Sequence, residues 1–221
     1  MDVTIKIWNA RFLFLEGLKN TLLVSISAII IGTILGVVIG LITTYGNKYV
    51  RFPFRVYIDI IRGLPSVVTV FIIYYFLDYL LIQIHISMGQ MGVGIVALVA
   101  PCSAQVAELV RGALQNIPKG QIDAGRAIGM TFQQIMVRIL IPQAIVEIIP
   151  PWTNTATEIV KGSSLLSLVS ISELLLVTKQ LVARDPRALI YYTFIGVIYF
   201  LINTVVEQGG RALERKVRFI K

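Results

Sequence analysis

Apolar residues run through this chain in long blocks separated by short polar stretches, a pattern quite unlike the alternation of a half-buried surface. Blocks at about 18–45, 65–84, 92–110, 135–152 and 188–206 approach or exceed the ~20 residues a helix needs to cross the hydrocarbon of a bilayer. They predict an all-α integral membrane protein with about five transmembrane helices, built as one domain over 1–221. Apolar runs at 165–171 and 174–177 are mixed with charges and predict a partly embedded or interfacial helix.

Within the blocks, a few residue types sharpen the picture. Gly32, Gly36 and Gly40 share one helical face of the first span, where small residues let another helix approach closely in lipid. Pro65 suits the first turn of the second span, and 46–63 before it reads as a basic linker. Pro142 and the pair Pro150-Pro151 predict a bent fourth span, because each proline removes a backbone hydrogen bond.

The stretch 117–144 is the main polar interruption. Pro118 suits a helix start and Gly129 a helix stop, while Thr131 and Gln134 form a capping-box pattern that starts a second helix feeding the fourth span. On the short first helix, Asp123 and Arg126 are spaced to pair, and Gly125 and Gly129 leave one flank without side chains. A small, partly apolar helix of this kind is expected to be a knob for another protein's socket, with an interfacial connecting helix as the alternative.

Composition rules out a soluble domain: 56% of residues are hydrophobic, 14% are charged, and the mean hydropathy is +0.80. The net charge of +8 invites a nucleic-acid reading, but the lysines and arginines gather between the blocks, as topology signals do. Thirteen fall in 46–63, 111–138 and the tail 207–221, against seven in the N-terminus and 161–187. The positive-inside rule then places the N-terminus outside, and the stretch 117–144 and the C-terminus in the cytosol. No cleavable signal pattern precedes the first span, which is expected to act as its own insertion signal. The single cysteine, Cys102, is expected to pack, and the single histidine, His85, is assigned no role.

Ionisable residues inside spans are costly, which makes Asp78, Glu108 and Glu147 candidates for function. Glu108 is also spaced to pair with Arg111. Glu147 lies between the prolines of the bent span, and Asn154, Thr157, Glu158 and Lys161 continue one helical face beyond it. Together they are the candidate solute path, offering both signs of charge to a zwitterion; an internally paired strut is the alternative. No metal cluster or nucleophile–base pair is present in the sequence.

Asp123-Ala124-Gly125, three residues, Gly129, nine residues and Ile139-Leu140-Ile141-Pro142 resembles the EAA loop of permease subunits of bacterial ATP-binding-cassette (ABC) importers. Three positions depart from it: Asp123 for Glu, Gly125 for Ala and Ile141 for Leu. Arg62-Gly63-Leu64-Pro65, Glu108 to Gly112, Ile117 to Gln121, Asn154, Lys161, Ser163-Ser164-Leu165 and Ala212 to Arg215 resemble the polar amino acid uptake branch.

The resemblance implies the type I importer permease fold in the bacterial inner membrane. It makes 117–144 the loop carrying the coupling helix, with Asp123, Ala124, Gly125, Arg126 and Gly129 meeting a cytosolic ABC ATPase dimer. The chain lacks a Gly-x-x-x-x-Gly-Lys-Ser/Thr phosphate loop, so ATP and Mg would be bound by that partner and no cofactor by this chain. A second permease subunit, identical or related, an extracytoplasmic solute-binding protein and membrane lipid complete the expected partners, with no nucleic acid. The implied activity is import of a polar amino acid by alternating access. Alternatives are another small solute, such as an opine, an ectoine-like osmolyte or a sulfur amino acid, or an ion-coupled secondary transporter.

Overall fold

The computed structural model describes residues 7–185 and 187–218, so Asp2 and Lys6, and Lys221 of the basic tail, lie outside them. Among the described residues, five helical stretches are long and apolar enough to cross a membrane. The first, α1 (Arg11–Tyr45), has 35 residues and at about 1.5 Å per residue is longer than a hydrocarbon core of about 30 Å. Its glycine face meets α4 (Gln90–Asn116). A Cβ at Gly32, Gly36 or Gly40 would stand 2.6, 2.6 or 2.7 Å from the Cβ of Cys102, Val106 or Val110. The two backbones therefore approach as closely as glycine permits. α4 is the most enclosed helix, with 61% of its most apolar stretch buried within the chain.

Residues 46–63 are not a linker but mostly a helix, α2 (Lys48–Gly63). Its N-cap, Asn47, accepts a hydrogen bond from the Val50 amide at 2.9 Å. The charges that read as a linker, Lys48, Arg51, Arg55, Asp59 and Arg62, recur every three or four residues and so belong to the polar side of a helix. The Tyr57 hydroxyl lies 2.7 Å from Ser103 Oγ and donates to the Ala100 carbonyl at 2.9 Å, tying α2 to α4. Burial raises its pKa, which keeps the phenol a neutral donor.

Leu64 and Pro65 then break the path. The residue before a proline is held extended, and Leu64 has ψ 148°. Pro65 precedes the first turn of α3 (Ser66–Gln83) as its N-cap rather than occupying it.

After α4 comes α5 (Lys119–Ala127), and then one helical path through Phe132–Val169. That path comprises α6 (Phe132–Ile135), a π turn over Met136–Leu140, α7 (Ile141–Gly162) and a 3₁₀ segment over Ser163–Val169. Pro142 cannot donate to the preceding turn, and the backbone takes this up as the π turn, with the Ile141 amide bonding to the Met136 carbonyl. The expected end of the fourth span at 152 is too early: Pro150 and Pro151 lie inside α7, which continues to Gly162.

Within 154–187, where a partly embedded or interfacial helix is expected, lies α8 (Leu174–Val182). It packs with the start of α1 and with α9 (Ala188–Arg218), where Phe14 and Phe194 meet edge to face at 5.1 Å. α9 runs past the expected 206 into the basic tail. Elsewhere Ile30, Ile34, Leu35 and Val38 of α1, among many others, are exposed, as a lipid-facing surface requires.

Candidate functional site

α5 ends in a Schellman motif. Gly129 has φ +80°, its amide donates to the Arg126 carbonyl at 2.9 Å, and the Met130 amide donates to the Gly125 carbonyl at 3.0 Å. Two residues on, Thr131 and Gln134 form the reciprocal capping box: the Thr131 amide donates to Gln134 Oε1 at 2.9 Å and the Gln134 amide to Thr131 Oγ1 at 3.3 Å. Phe132 meets Tyr45 edge to face at 5.4 Å, which pins this corner to the end of α1.

Gly125 has a different neighbour from the one its sequence position implied. A Cβ there would stand 2.8 Å from Ile135 Cγ1, so this glycine lets α5 lie against its own chain rather than leaving a flank open. Among the described residues Asp123 and Arg126 form no ion pair with each other, and both are exposed. The surface free for a partner is Asp123, Ala124, Arg126, Ala127 and Ile128, the last 77% exposed.

A second feature lies between α7, the middle of α4 and the junction of α2 with α3. There a concavity of about 350 Å³ is lined by Arg62, Ser66, Thr69, Gln105, Glu108, Asn154 and Glu158, with Pro101 and Pro151 in its wall. A neighbouring hollow of about 300 Å³ shares Ser66, Gln105 and Glu158 and adds Lys161. Glu108 is committed: Arg111 Nε donates to it at 2.9 Å and Arg62 stands 3.6 Å away. Glu158 forms no ion pair among the described residues, Lys161 included, so its carboxylate is open to the concavity.

Asn154, Glu158 and Lys161 are thus brought together along these hollows. Thr157 is buried, its hydroxyl donating to the Asn154 carbonyl at 2.8 Å. Glu147 is exposed and lines neither hollow, and neither does Asp78. Arg62, Ser66 and Gln105 complete the lining. Their signal in the sequence was weak, because Arg62 reads as a topology charge and Gln105 as a single polar residue in an apolar block.

Residues 17–219 match the family described as binding-protein-dependent transport system inner membrane component. The glutamine transport system permease protein GlnP of Escherichia coli (strain K12) is 30% identical over 214 residues, covering 97% of each chain. The L-cystine transport system permease protein TcyB of Bacillus subtilis (strain 168) is 30% identical over 202 residues, covering 91% of this chain and 85% of that one. Among solved structures, an amino acid ABC transporter crystallised with histidines superposes with a TM-score of 0.84 at 29% identity, covering 96% of this chain and 97% of that one. The family is a multi-pass inner-membrane component, not a catalytic subunit; its name implies a binding protein as partner, and the ABC transporter of the solved structure implies an ATPase. The chain belongs to the inner-membrane permease subunits of binding-protein-dependent ABC transporters, in the amino acid branch that includes GlnP and TcyB.

Proposed function

We propose that this chain imports a polar amino acid by alternating access, the solute passing along the concavity that Asn154 and Glu158 line. The observation that carries the proposal is one of connection. A single helical path, Phe132–Val169, starts at the cap beside α5 and carries Asn154 and Glu158 in its second half. Beyond the short turn 128–131, a push or pull on α5 is therefore delivered to the concavity along one helical path. The ATPase docks on Asp123, Ala124, Arg126 and the exposed apolar residues beside them, with Gly125 and Gly129 fixing the shape of the docking helix. ATP and Mg are bound by the ATPase, whose preference for one permease conformation supplies the bias.

The excess of lysine and arginine at the α5 end supports a cytosolic position for that end, with the N-terminus outside and the C-terminus inside. The concavity is open in this single chain (Arg62, Asn154 and Glu158 are all exposed), so a second permease subunit, identical or related, closes the path from the other side. A solute-binding protein delivers to the opposite end. Glu158 offers an anion to an α-amino group, and Lys161 a cation to an α-carboxylate. Glu108, held between Arg62 and Arg111, acts as a structural tie rather than a free charge.

The test is uptake of labelled glutamine, arginine and cystine into proteoliposomes holding this chain with its co-purifying subunits and binding protein. ATP-dependent accumulation of at least one is expected. Accumulation driven by an imposed proton or sodium gradient without ATP would overturn the proposal in favour of a secondary transporter.

A further inference from the structure

The first half of α2 carries three cations, none held in an ion pair among the described residues. Lys48, Arg51 and Arg55 recur at i, i+3 and i+7, which stacks them along one side of the helix. No acidic residue occupies the first turn, so Lys48 and Arg51 stand against the positive end of the helix dipole, where an anion rather than a cation belongs. Among the described residues none of the three takes part in an ion pair. The nearby carboxylate of Glu108 is already taken by Arg111 and Arg62.

These cations share a cavity. A hollow of about 430 Å³ is lined by Lys48, Arg51, Phe52, Arg55, Arg111 and Gln115. Arg111 forms a fixed part of the wall, its Nη1 donating to Gln115 Oε1 at 2.6 Å and its Nε to Glu108 at 2.9 Å. The hollow sits where two spans finish, α1 at Tyr45 and α4 at Asn116, which is the level of a lipid headgroup layer.

The flank of the hollow is apolar. One residue on from the cationic stack, Tyr49, Phe52 and Val56 form a parallel stripe, with Tyr49 88% and Phe52 69% exposed. Mobile counterions would satisfy fixed cations alone, but not an aromatic and aliphatic stripe beside them. An amphiphile satisfies both, with its phosphate among the cations and its chains along the stripe.

We propose that the hollow lined by Lys48, Arg51, Arg55 and Arg111 binds the phosphate headgroup of an anionic phospholipid, whose acyl chains lie along Tyr49, Phe52 and Val56. Through Arg111 and Glu108 the bound lipid stands one ion pair away from the polar concavity, but its binding does not depend on what passes there. The ligand is the lipid rather than a free phosphate ion, because the exposed stripe has no role in holding a soluble anion.

The experiment is native mass spectrometry of the full chain, purified in detergent with its co-purifying subunits and titrated with dioctanoyl phosphatidylglycerol, dioctanoyl phosphatidylcholine or inorganic phosphate. Phosphatidylglycerol adducts are expected to form at much lower concentration than phosphatidylcholine adducts and to survive excess inorganic phosphate. Arg51→Gln with Arg55→Gln removes two headgroup cations and should weaken phosphatidylglycerol binding about 25-fold, at roughly fivefold per cation. Arg51→Lys with Arg55→Lys should keep most of it. Equal binding of the two lipids overturns the proposal, and the wild-type comparison decides this even where the glutamine variant fails to fold. Displacement by inorganic phosphate overturns it in favour of a soluble-anion site. Unchanged lipid binding by the glutamine variant, with loss of a co-purifying subunit, overturns it in favour of a protein contact.

Discussion

Replacing Gly36 by alanine is expected to force apart the seam between α1 and α4. The new Cβ would stand 2.6 Å from the Cβ of Val106 and 2.8 Å from the backbone carbonyl oxygen of Ser103. Neither neighbour is the free end of a flexible side chain, so the helices themselves must move. Ordinary carbon contacts lie at about 3.5–4.0 Å, which sets the required separation at roughly 1 Å. A gap of that size forfeits about a quarter to a half of each dispersion contact along the seam. Overpacking of this kind costs about 1–3 kcal/mol, equivalent to roughly a 5- to 150-fold increase in opening. Cys102, the chain's only cysteine, is 1% exposed and sits in the same seam opposite Gly32, so it reports the opening directly. Its labelling by a fluorogenic maleimide in detergent should accelerate in the Gly36→Ala protein, and the melting temperature should fall. Gly112→Ala is the control. That position is helical, with nothing within 4 Å of an added Cβ, so alanine should leave labelling unchanged and stabilise α4 by up to about 1 kcal/mol. If both variants label at the wild-type rate, the close-packed seam is refuted.

Three further predictions concern the polar parts of the molecule. Glu158→Gln should reduce ATP-driven uptake of cationic and neutral amino acids alike by about tenfold or more, the scale of a lost charge-assisted contact to the α-amino group they share; uptake of both at the wild-type level removes Glu158 from the solute path. Gly129→Leu places a side chain at φ +80°, at a cost of about 1–2 kcal/mol, and should abolish stimulation of the partner ATPase by loaded binding protein while the chain still melts cooperatively; normal stimulation would sink the docking role of α5. Glu173 is buried, accepts from the Leu176 amide at 2.8 Å and the Tyr199 hydroxyl at 2.7 Å, and has its pKa raised, chiefly by desolvation. Its folded state therefore holds a proton more tightly than its unfolded state. The stability it contributes is full below the ordinary glutamate range and is lost as pH rises through the raised value. Melting temperatures from about pH 4 upward should fall in the wild type and flatten in Glu173→Gln; parallel curves would refute the assignment.

What the sequence made legible follows from how local each signal is. The capping box at Thr131 and Gln134 and the left-handed Gly129 depend on a few adjacent residues, and both were readable. The apolar blocks were equally plain, because a lipid-facing helix must be apolar over most of its surface. α2 was hidden because its charges dominate an eye tuned to apolar runs, although their spacing was helical throughout. The extension of α7 past Pro150 and Pro151 was hidden for a related reason: a proline pair normally ends a soluble helix, whereas here neighbouring helices hold it in place. Gly125 and Glu147 show the limit of such reading. Whether a glycine meets a partner or its own chain, and whether an acid faces a hollow, depends on helix rotation, which no local pattern specifies.

That rotation is set in part by the π turn at Met136–Leu140. A π turn closes its hydrogen bond one residue later than an α turn, so it inserts one residue of phase into everything that follows. Each residue of an α-helix accounts for about 100° of rotation. Asn154 and Glu158 therefore face the concavity only because the extra residue was taken up beforehand. Were the turn to relax to α geometry with α5 and its cap held still, Glu158 would swing by about a quarter turn toward another neighbour. The short irregular segment beside Pro142 thus acts as the phase adjuster of the helix, and it lies between the element proposed to receive the mechanical stroke and the side chains proposed to meet the solute.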